Sequence, residues 1–236
     1  MKKQTNNKII ELRRGEHVAI FGQNGSGKSI AGMNAIHYTD IFPVVIYDTK
    51  IDDDFYSIIP DDFTDVTVYN FQTFEQLLKM QREQLPDYII VRPDENELDN
   101  PKLLDNYLLE HYKRLPESVA FIDEAYHFHG NSGVCFRGLK ALLTRGRSLG
   151  ITCVICSQRP YFISTFIKSE VKHFYCYRIT YPRDRKELFD FCNYLNNDVA
   201  QILEPYHFWY YDVIKNIGET RTPIVDTRAI EENKNA

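Results

Sequence analysis

The eight residues GQNGSGKS, from Gly22 to Ser29, restrict the fold of this chain more than any other part of its sequence. They match the pattern G-x-x-x-x-G-K-[ST] at every fixed position, and they stand between the apolar run HVAIF and the helix-like run KSIAGMNAIHY. The glycines let successive backbone amides point into one concavity, and the following helix adds the positive end of its dipole. The stretch therefore predicts a strand, a phosphate-binding loop and a helix, rather than a glycine-rich turn without a ligand.

The side chains of this loop have separate predicted roles. We expect Lys28 to reach the β- and γ-phosphates of a nucleotide, and the Ser29 hydroxyl to ligate Mg²⁺. The backbone amides should place the remaining loop residues around the same phosphates. The predicted nucleotide-binding residues of this loop are Gly22, Gln23, Asn24, Gly25, Ser26, Gly27, Lys28, Ser29 and Ile30.

A pair of carboxylates follows a second apolar run, in SVAFIDEAY. If this run is a strand of a parallel sheet, Asp123 and Glu124 leave it at the carboxyl-terminal edge, where ligands bind in such sheets. We expect Asp123 to complete the Mg²⁺ site and Glu124 to act as the general base for an attacking water. An acidic pair at such a place is also common as a helix cap, but the upstream loop favours the catalytic interpretation. A base within the chain favours hydrolysis over transfer to an acceptor.

The order of apolar and amphipathic segments predicts an α/β fold. Short apolar runs without strict alternation indicate strands buried on both faces, and the helix-like stretches between them are typical of a mainly parallel central sheet flanked by helices. Residues 206–226 instead predict a C-terminal β-hairpin with its turn at 216–218. We assign residues 1–226 to a single domain and residues 227–236 to a polar, flexible tail. The predicted strands are 17–21, 44–48, 66–70, 88–91, 118–123, 151–157, 173–179 and 207–213, and the predicted helices are 73–85, 101–115, 138–150 and 183–195.

The segment LLTRGRSLGITCVICSQRP, residues 142–160, raises a question, because a strand needs neither the arginines before it nor the polar residues after it. If ITCVICS lies beside the strand of Asp123, then Gln158 lies near the γ-phosphate. We predict that Gln158 senses this phosphate, with a hydrogen bond to loop backbone as the alternative. Arg147, or else Arg145, is predicted to be an arginine finger that enters the site of a neighbouring subunit. A cation that stabilises a helix C-terminus is the alternative for both.

Composition limits the class of partner and the compartment. The net charge of -5 excludes a protein that coats nucleic acid with a basic surface, so any contact with DNA has to be local. No stretch approaches the ~18 apolar residues of a membrane span, and the N-terminus MKKQTNNK has no apolar signal sequence. The five cysteines show no zinc-like spacing and indicate a reducing compartment. We therefore expect a cytoplasmic protein with no membrane partner.

Four blocks together, GQNGSGKS, VVIYDTK, FIDEA and TRGRSLGITCVICSQRP, resemble the FtsK–HerA superfamily of ring-forming, DNA-pumping ATPases. The resemblance covers residues 15–226, and its last block is the most specific. It implies a P-loop NTPase fold of the ASCE, RecA-like type, ATP and Mg²⁺ as cofactors, a pentameric or hexameric homo-oligomeric ring, and double-stranded DNA in the central pore. By position, Lys28 and Ser29 correspond to the Walker A residues, and Asp123 and Glu124 to the Walker B pair.

The resemblance also implies roles outside these two motifs. Gln158 matches the sensor glutamine of the family, and Asp48 and Lys50 match an Asp-x-Lys in which the lysine faces the nucleotide of an adjacent subunit. A solvated loop lysine is the alternative for Lys50. The chain shows neither the membrane segments and winged helix of FtsK-type translocases nor the N-terminal β-barrel of HerA-type proteins. This compact layout implies a viral genome-packaging ATPase that acts in the host cytoplasm on a portal or procapsid.

Two further segments are candidates for contact with nucleic acid. The loop 127–138 follows the predicted catalytic strand, and Arg137 within it is placed to grip phosphates in a pore; an ordinary flexible loop is the alternative. The aromatic segment 206–210 has the composition of a base-stacking platform, but core packing is the favoured interpretation on an edge strand.

The residues leave three functions open. The first is a DNA-translocating ATPase that packages a viral genome. The second is a related ATPase for plasmid transfer or DNA processing, which neighbouring genes for a relaxase rather than a portal would indicate. The third is a nucleotide-dependent assembly scaffold that moves no DNA, against which Glu124 and Gln158 argue.

Overall fold

The computed structural model of the chain describes residues 10–51, 59–128, 135–192, 195 and 203–224, so the predicted tail 227–236 lies outside the described residues. The strands are β1 Val18–Phe21, β2 Val44–Tyr47, β3 Asp65–Val68, β4 Tyr88–Val91, β5 Val119–Ile122, β6 Thr152–Ser157, β7 His173–Tyr177, β8 Phe208–Asp212 and β9 Ile217–Arg221. The helices are α1 Lys28–His37, α2 Phe71–Leu77, α3 Glu95–Leu98, α4 Pro101–Arg114, α5 Arg137–Thr144, α6 Thr165–Glu170 and α7 Pro182–Phe189.

Within the described residues these nine strands form one sheet in the order β3-β4-β2-β5-β6-β1-β7-β8-β9. Every neighbouring pair from β3 to β7 is parallel, whereas β8 is antiparallel to β7 and to β9. The predicted α/β class, with a mainly parallel sheet and a C-terminal β-hairpin, is confirmed. Strand β1 lies between β6 and β7, so the loop that follows β1 opens at the carboxyl-terminal edge of the parallel strands.

The sheet separates two apolar layers, because the side chains of each strand alternate between its faces. In β1, Ala19 and Phe21 belong to one layer, and Val18 and Ile20 belong to the other. The first layer contains residues of α2, α4, α5, α6 and α7, and the second contains those of α1. Full burial of one such large apolar side chain stabilises the fold by about 1.5–3 kcal/mol. Because helices cover both faces of the sheet, the sequences of its strands are continuous apolar runs.

The helix predicted at 73–85 is wrong in its second half. Helix α2 ends at Leu77, and Arg82–Gln84 form a separate 3₁₀ helix. The Arg82 guanidinium donates hydrogen bonds to the carbonyl oxygens of Phe42, at 2.8 Å, and Glu117, at 2.9 Å, so it ties this segment to distant parts of the chain. These long-range bonds compete with continuation of the helix.

Three smaller boundaries also differ from the predictions. Helix α5 ends at Thr144 and a 3₁₀ helix covers Gly146–Leu149, while α7 ends at Phe189. The hairpin turn lies before β9 rather than at 216–218, because Gly218 already pairs with Tyr211. In the described ranges, every helix is too short or too polar to cross a bilayer.

Candidate active site

The loop 22–29 curls between β1 and α1 as its glycine pattern predicts. Gly27 stands at the N-cap of α1 with φ 97°, in the left-handed region that favours glycine. A Cβ at Gly27 would lie 3.1 Å from Cδ1 of Tyr206 and 3.3 Å from Cε1 of Tyr177. The backbone conformation therefore favours glycine at this position, and the two aromatic rings would have to shift slightly to admit a Cβ.

The loop forms most of the wall of a cavity of about 250 Å³. Among the predicted nucleotide-binding residues of the loop, eight of nine line it, and Gly22 lies at its base beside Ser26. Its walls combine polar groups of the loop with apolar surface, as is usual for a site that binds a small ligand. The lining residues are Gln23, Asn24, Gly25, Ser26, Gly27, Lys28, Ser29, Ile30, Lys50 and Tyr206.

The carboxylates predicted to be the Walker B pair lie next to this cavity at the end of β5. Asp123 and Glu124 are 2% and 1% exposed, and the amide of Asp123 donates to the carbonyl oxygen of Tyr47, which keeps the end of β5 aligned with β2. The Lys28 ammonium lies 3.5 Å from Oε1 of Glu124. The phosphate-binding lysine and the predicted base are thus adjacent, although 96 residues separate them in the chain.

Gln158 joins the predicted base directly. Its side-chain Nε2 donates to Oε1 of Glu124 at 2.9 Å, and its backbone amide lies 3.4 Å from Oε2 of the same carboxylate. The preceding strand β6 pairs with both β1 and β5, so the end of β6 has to emerge between the loop and the carboxylates. The polar residue at the end of the ITCVICS strand therefore fixes the orientation of Glu124.

Lys50 binds both carboxylates of the pair. Its ammonium lies 3.1 Å from Oδ2 of Asp123 and 2.8 Å from Oε1 of Glu124. Burial alone would lower the pKa of Lys50, but the two carboxylates outweigh it and hold that pKa above its usual range. Asp48 accepts a hydrogen bond from the Lys50 amide and pairs with Arg92 at 2.9 Å, which fixes the loop. Lys50 lines the cavity of its own chain rather than projecting away from it.

The oxygen atoms at this point fit a Mg²⁺ ion. Oδ1 of Asp123 is buried and has no hydrogen-bond partner among the described residues. Ser29 lines the cavity at the start of α1, so a hydroxyl and a carboxylate oxygen are both present, and hard cations prefer such ligands. The described residues hold no group of three or more His, Cys, Asp or Glu side chains suited to a metal ion.

Arg145 and Arg147 lie at the opposite edge of the sheet. They follow α5 and precede β6, so they stand at the amino-terminal edge of the parallel strands, and both are exposed. The Arg145 guanidinium lies over the ring of Tyr112, 5.1 Å from its centroid. The Arg147 guanidinium makes no hydrogen bond or ion pair within the described part of the chain. The structure does not bring either arginine to the cavity of its own chain.

Arg137 is exposed at the first position of α5, and its place is fixed by α4. Asp105 accepts hydrogen bonds from the amides of Gly138 and Leu139, at 2.7 and 2.8 Å, and so caps α5 from a neighbouring helix. A Cβ at Gly138 would lie 2.2 Å from the carbonyl oxygen of Asp105, so only glycine permits this approach. Residues 129–134 of the predicted loop lie outside the described residues.

Tyr206 is a lining residue that the sequence did not indicate. Core packing is the correct expectation for Phe208 and Trp209, which are buried, but it is wrong for Tyr206, which is 52% exposed beside the phosphate loop. The pairing of Phe208 with Tyr177 brings this segment to β7, which adjoins β1. No local pattern reveals that neighbourhood, because it depends on the order of strands in the sheet.

No protein-family model matches the chain. It is 30% identical, over 117 residues, to the DNA packaging ATPase P9 of Enterobacteria phage PRD1. The matched region is 47% of this chain and 50% of P9, so the chain spans about half the length of the curated relative that it matches.

Solved structures of viral genome packaging NTPases share the fold. The genome packaging NTPase B204 from Sulfolobus turreted icosahedral virus 2, in complex with sulfate, superposes with a TM-score of 0.67 at 18% identity, over 91% of this chain and 100% of that chain. Its complex with AMPPCP gives a TM-score of 0.65 at 19% identity, over 89% and 99%. The P-loop NTPase fold is confirmed, and so is the resemblance to genome-packaging ATPases.

Proposed function

We propose that this protein is an ATP-hydrolysing motor that moves double-stranded DNA during packaging of a viral genome. It would act as a homo-oligomeric ring, with DNA in the pore, on a portal or procapsid in the host cytoplasm. The observation that carries the proposal is the contact of Gln158 with Glu124 beside the Lys28 loop, since a buried base held by a polar residue is a hydrolytic arrangement. The similarity to P9 and the AMPPCP complex of B204 support the same conclusion.

The chemistry would be in-line hydrolysis of the γ-phosphate. Lys28 and the loop amides hold the phosphates, and Glu124 accepts a proton from water as the water oxygen bonds to the γ-phosphorus and the bond to the β–γ bridging oxygen breaks. Gln158 keeps the Glu124 carboxylate turned towards that water. Ser29 and Asp123 would hold Mg²⁺, which when bound neutralises charge on the phosphate oxygens.

Lys50 restrains this machinery in the structure described here. Its ammonium occupies Oε1 of Glu124, the same oxygen that Gln158 binds, and it also neutralises Asp123. The Lys50 ammonium competes with an attacking water for the Glu124 carboxylate, so in this proposal Lys50 exchanges the carboxylates for another anion before hydrolysis. The phosphates of a nucleotide in the same cavity supply such an anion, because Lys50 lines the cavity. In this proposal Lys50 binds the nucleotide of its own subunit.

DNA would contact the ring through Arg137. The residue is exposed, and its helix start is held rigidly by Asp105, so a phosphate contact there would be transmitted to α5. One arginine from each copy gives a ring of cations without making an acidic chain basic overall. Contacts to phosphates carry no sequence preference, as a packaging motor requires.

The test is the steady-state ATPase rate with and without double-stranded DNA of arbitrary sequence, at two salt concentrations. We expect DNA to stimulate hydrolysis and higher salt to remove the stimulation, because phosphate contacts release counterions. Arg137→Ala should lose most of the stimulation while its basal rate is kept. Lys79→Ala is the matched control, since it removes one exposed cation from a distant helix end. Hydrolysis indifferent to DNA at both salt concentrations would favour the scaffold function instead.

A further inference from the structure

Tyr206 stands at the cavity in a way that packing alone does not explain. It lines the cavity with the phosphate loop, and Cδ1 of its ring would lie 3.1 Å from a Cβ at Gly27. Just over half of its surface is nevertheless open. Within the described ranges it makes no hydrogen bond, ring stack or ion pair. A large aromatic ring is thus placed beside the phosphate loop with little to hold it there.

The backbone of Tyr206 has an unfavourable conformation that the surrounding fold holds in place. Its φ is 62°, in the left-handed region, where a residue with a Cβ is disfavoured by about 1 kcal/mol or more. A turn holds this conformation, in which the amide of His207 donates to the carbonyl oxygen of Glu204 at 3.1 Å. The next residue, Phe208, is already locked into β8 against Tyr177. The fold therefore fixes the backbone of Tyr206 beside the phosphate loop.

Tyr177 provides an internal comparison. It also approaches Gly27, at 3.3 Å from the position of a Cβ, but it is only 1% exposed and its ring packs against Phe208 at 5.3 Å between centroids. Tyr177 thus supports the loop from below as part of the core. Tyr206 contacts the same glycine from the open side, where a ligand enters.

The remaining lining of the cavity shows which part of a nucleotide Tyr206 would meet. Loop amides, Lys28 and Ser29 bind phosphates, while Ile30 and Tyr206 are the two large apolar side chains of the wall. Once the phosphates occupy the loop, the heterocyclic base needs an apolar or aromatic surface, and aromatic rings bind bases by stacking. We propose that Tyr206 binds the base of the nucleotide by stacking. This inference rests on the proposed nucleotide-binding function and assigns a further binding residue to it.

The test compares a ligand with a base to one without. Binding of AMPPCP and of inorganic tripolyphosphate, each with Mg²⁺, is measured by calorimetry on the full chain. We expect Tyr206→Ala to weaken AMPPCP on the order of 10-fold and to leave tripolyphosphate unchanged, because only the former has a base to stack. Tyr206→Phe, which keeps the π-face, should bind as the wild type. Tyr69→Ala is the matched control, since Tyr69 is 60% exposed at the other end of the sheet.

Two further variants separate the possible failures. Tyr206→Leu keeps a side chain over Gly27 but has no π-face, so it should lose AMPPCP affinity as Tyr206→Ala does, even if the alanine variant folds poorly. Equal weakening of both ligands by these variants, or of neither, would overturn the role of Tyr206. A wild-type protein that binds neither ligand, or a Lys28→Ala variant that binds both normally, would overturn the proposed function itself.

Discussion

The two edges of the parallel sheet differ in whether their predicted functional residues contact one another. At the carboxyl-terminal edge, the Glu124 carboxylate contacts Lys28, Lys50 and Gln158, and Lys50 also contacts Asp123. Both carboxylates are buried. At the amino-terminal edge, Arg145 and Arg147 are exposed, and the Arg147 guanidinium makes no hydrogen bond or ion pair within the described residues.

The difference indicates what each edge needs from outside. The carboxyl-terminal edge holds the predicted base, the predicted phosphate-binding lysine and the predicted metal ligands, but no arginine is among the described residues that line its cavity. The amino-terminal edge holds exposed arginines but neither of the predicted catalytic carboxylates. In the ring that we propose, each edge would face the other edge of a neighbouring copy, and the two edges would be halves of one site.

The largest expected effect is that of Arg147→Ala in the assembled ring. We expect ATP to bind normally and kcat to fall by about 10³- to 10⁵-fold, because an arginine finger stabilises charge in the transition state. Arg145→Ala is the matched control and should change kcat little, since its guanidinium is engaged with the ring of Tyr112. Steady-state ATPase assays on both variants check this.

A mixing experiment separates action in trans from a structural defect. In a mixed ring, the Arg147→Ala chain keeps Glu124 and the Glu124→Gln chain keeps Arg147. Where two such chains are neighbours, one of their sites combines an intact base with an intact arginine. We expect such mixtures to recover part of the activity that each variant alone has lost. If no mixing ratio restores hydrolysis, the two edges are not halves of one site.

The second expected effect is that of Glu124→Gln at the other edge. The amide is nearly isosteric but cannot accept a proton, so we expect kcat to fall by about 10²- to 10⁴-fold while AMPPCP affinity is kept. Single-turnover hydrolysis together with calorimetric binding checks both parts. A normal turnover rate would show that the buried contact between Gln158 and Glu124 has no catalytic meaning.

The carboxyl-terminal edge could be predicted from the sequence only in part. The proximity of Lys28, Asp123 and Glu124 follows from motifs whose spacing and flanking strands require particular chemistry. Tyr206 could not be predicted, because its place depends on β8 pairing antiparallel to β7, and a hydrophobic pattern does not specify strand neighbours. The false extension of the helix at 73–85 has the same origin, since the bonds of Arg82 reach carbonyls far away in the chain.

Two buried neutral histidines hold the amino-terminal edge. His17, just before β1, donates from Nε2 to the carbonyl oxygen of Leu143 at the end of α5 and accepts from the amide of Cys153 in β6, so it spans the loop that carries the arginines. His111 accepts at Nδ1 from the Tyr47 hydroxyl and bonds through Nε2 to Ser118, which precedes β5. In each imidazole one nitrogen donates a hydrogen bond and the other accepts one, and only the neutral form can do both.

The smallest expected effect is therefore a loss of stability in mild acid. Burial lowers the pKa of His17 to about 4 and that of His111 to about 3. In the unfolded chain both titrate near 6.5, so below that pH the unfolded state takes up protons that the folded state refuses, and the free energy of unfolding falls with pH. Between pH 7 and 5.5 each histidine should lower it by about 1 kcal/mol. Urea unfolding at both pH values checks this, and in His111→Gln the pH-dependent loss should be about half of the loss due to the two histidines. A wild-type free energy of unfolding that is constant over this range would show that the edge does not depend on neutral histidines.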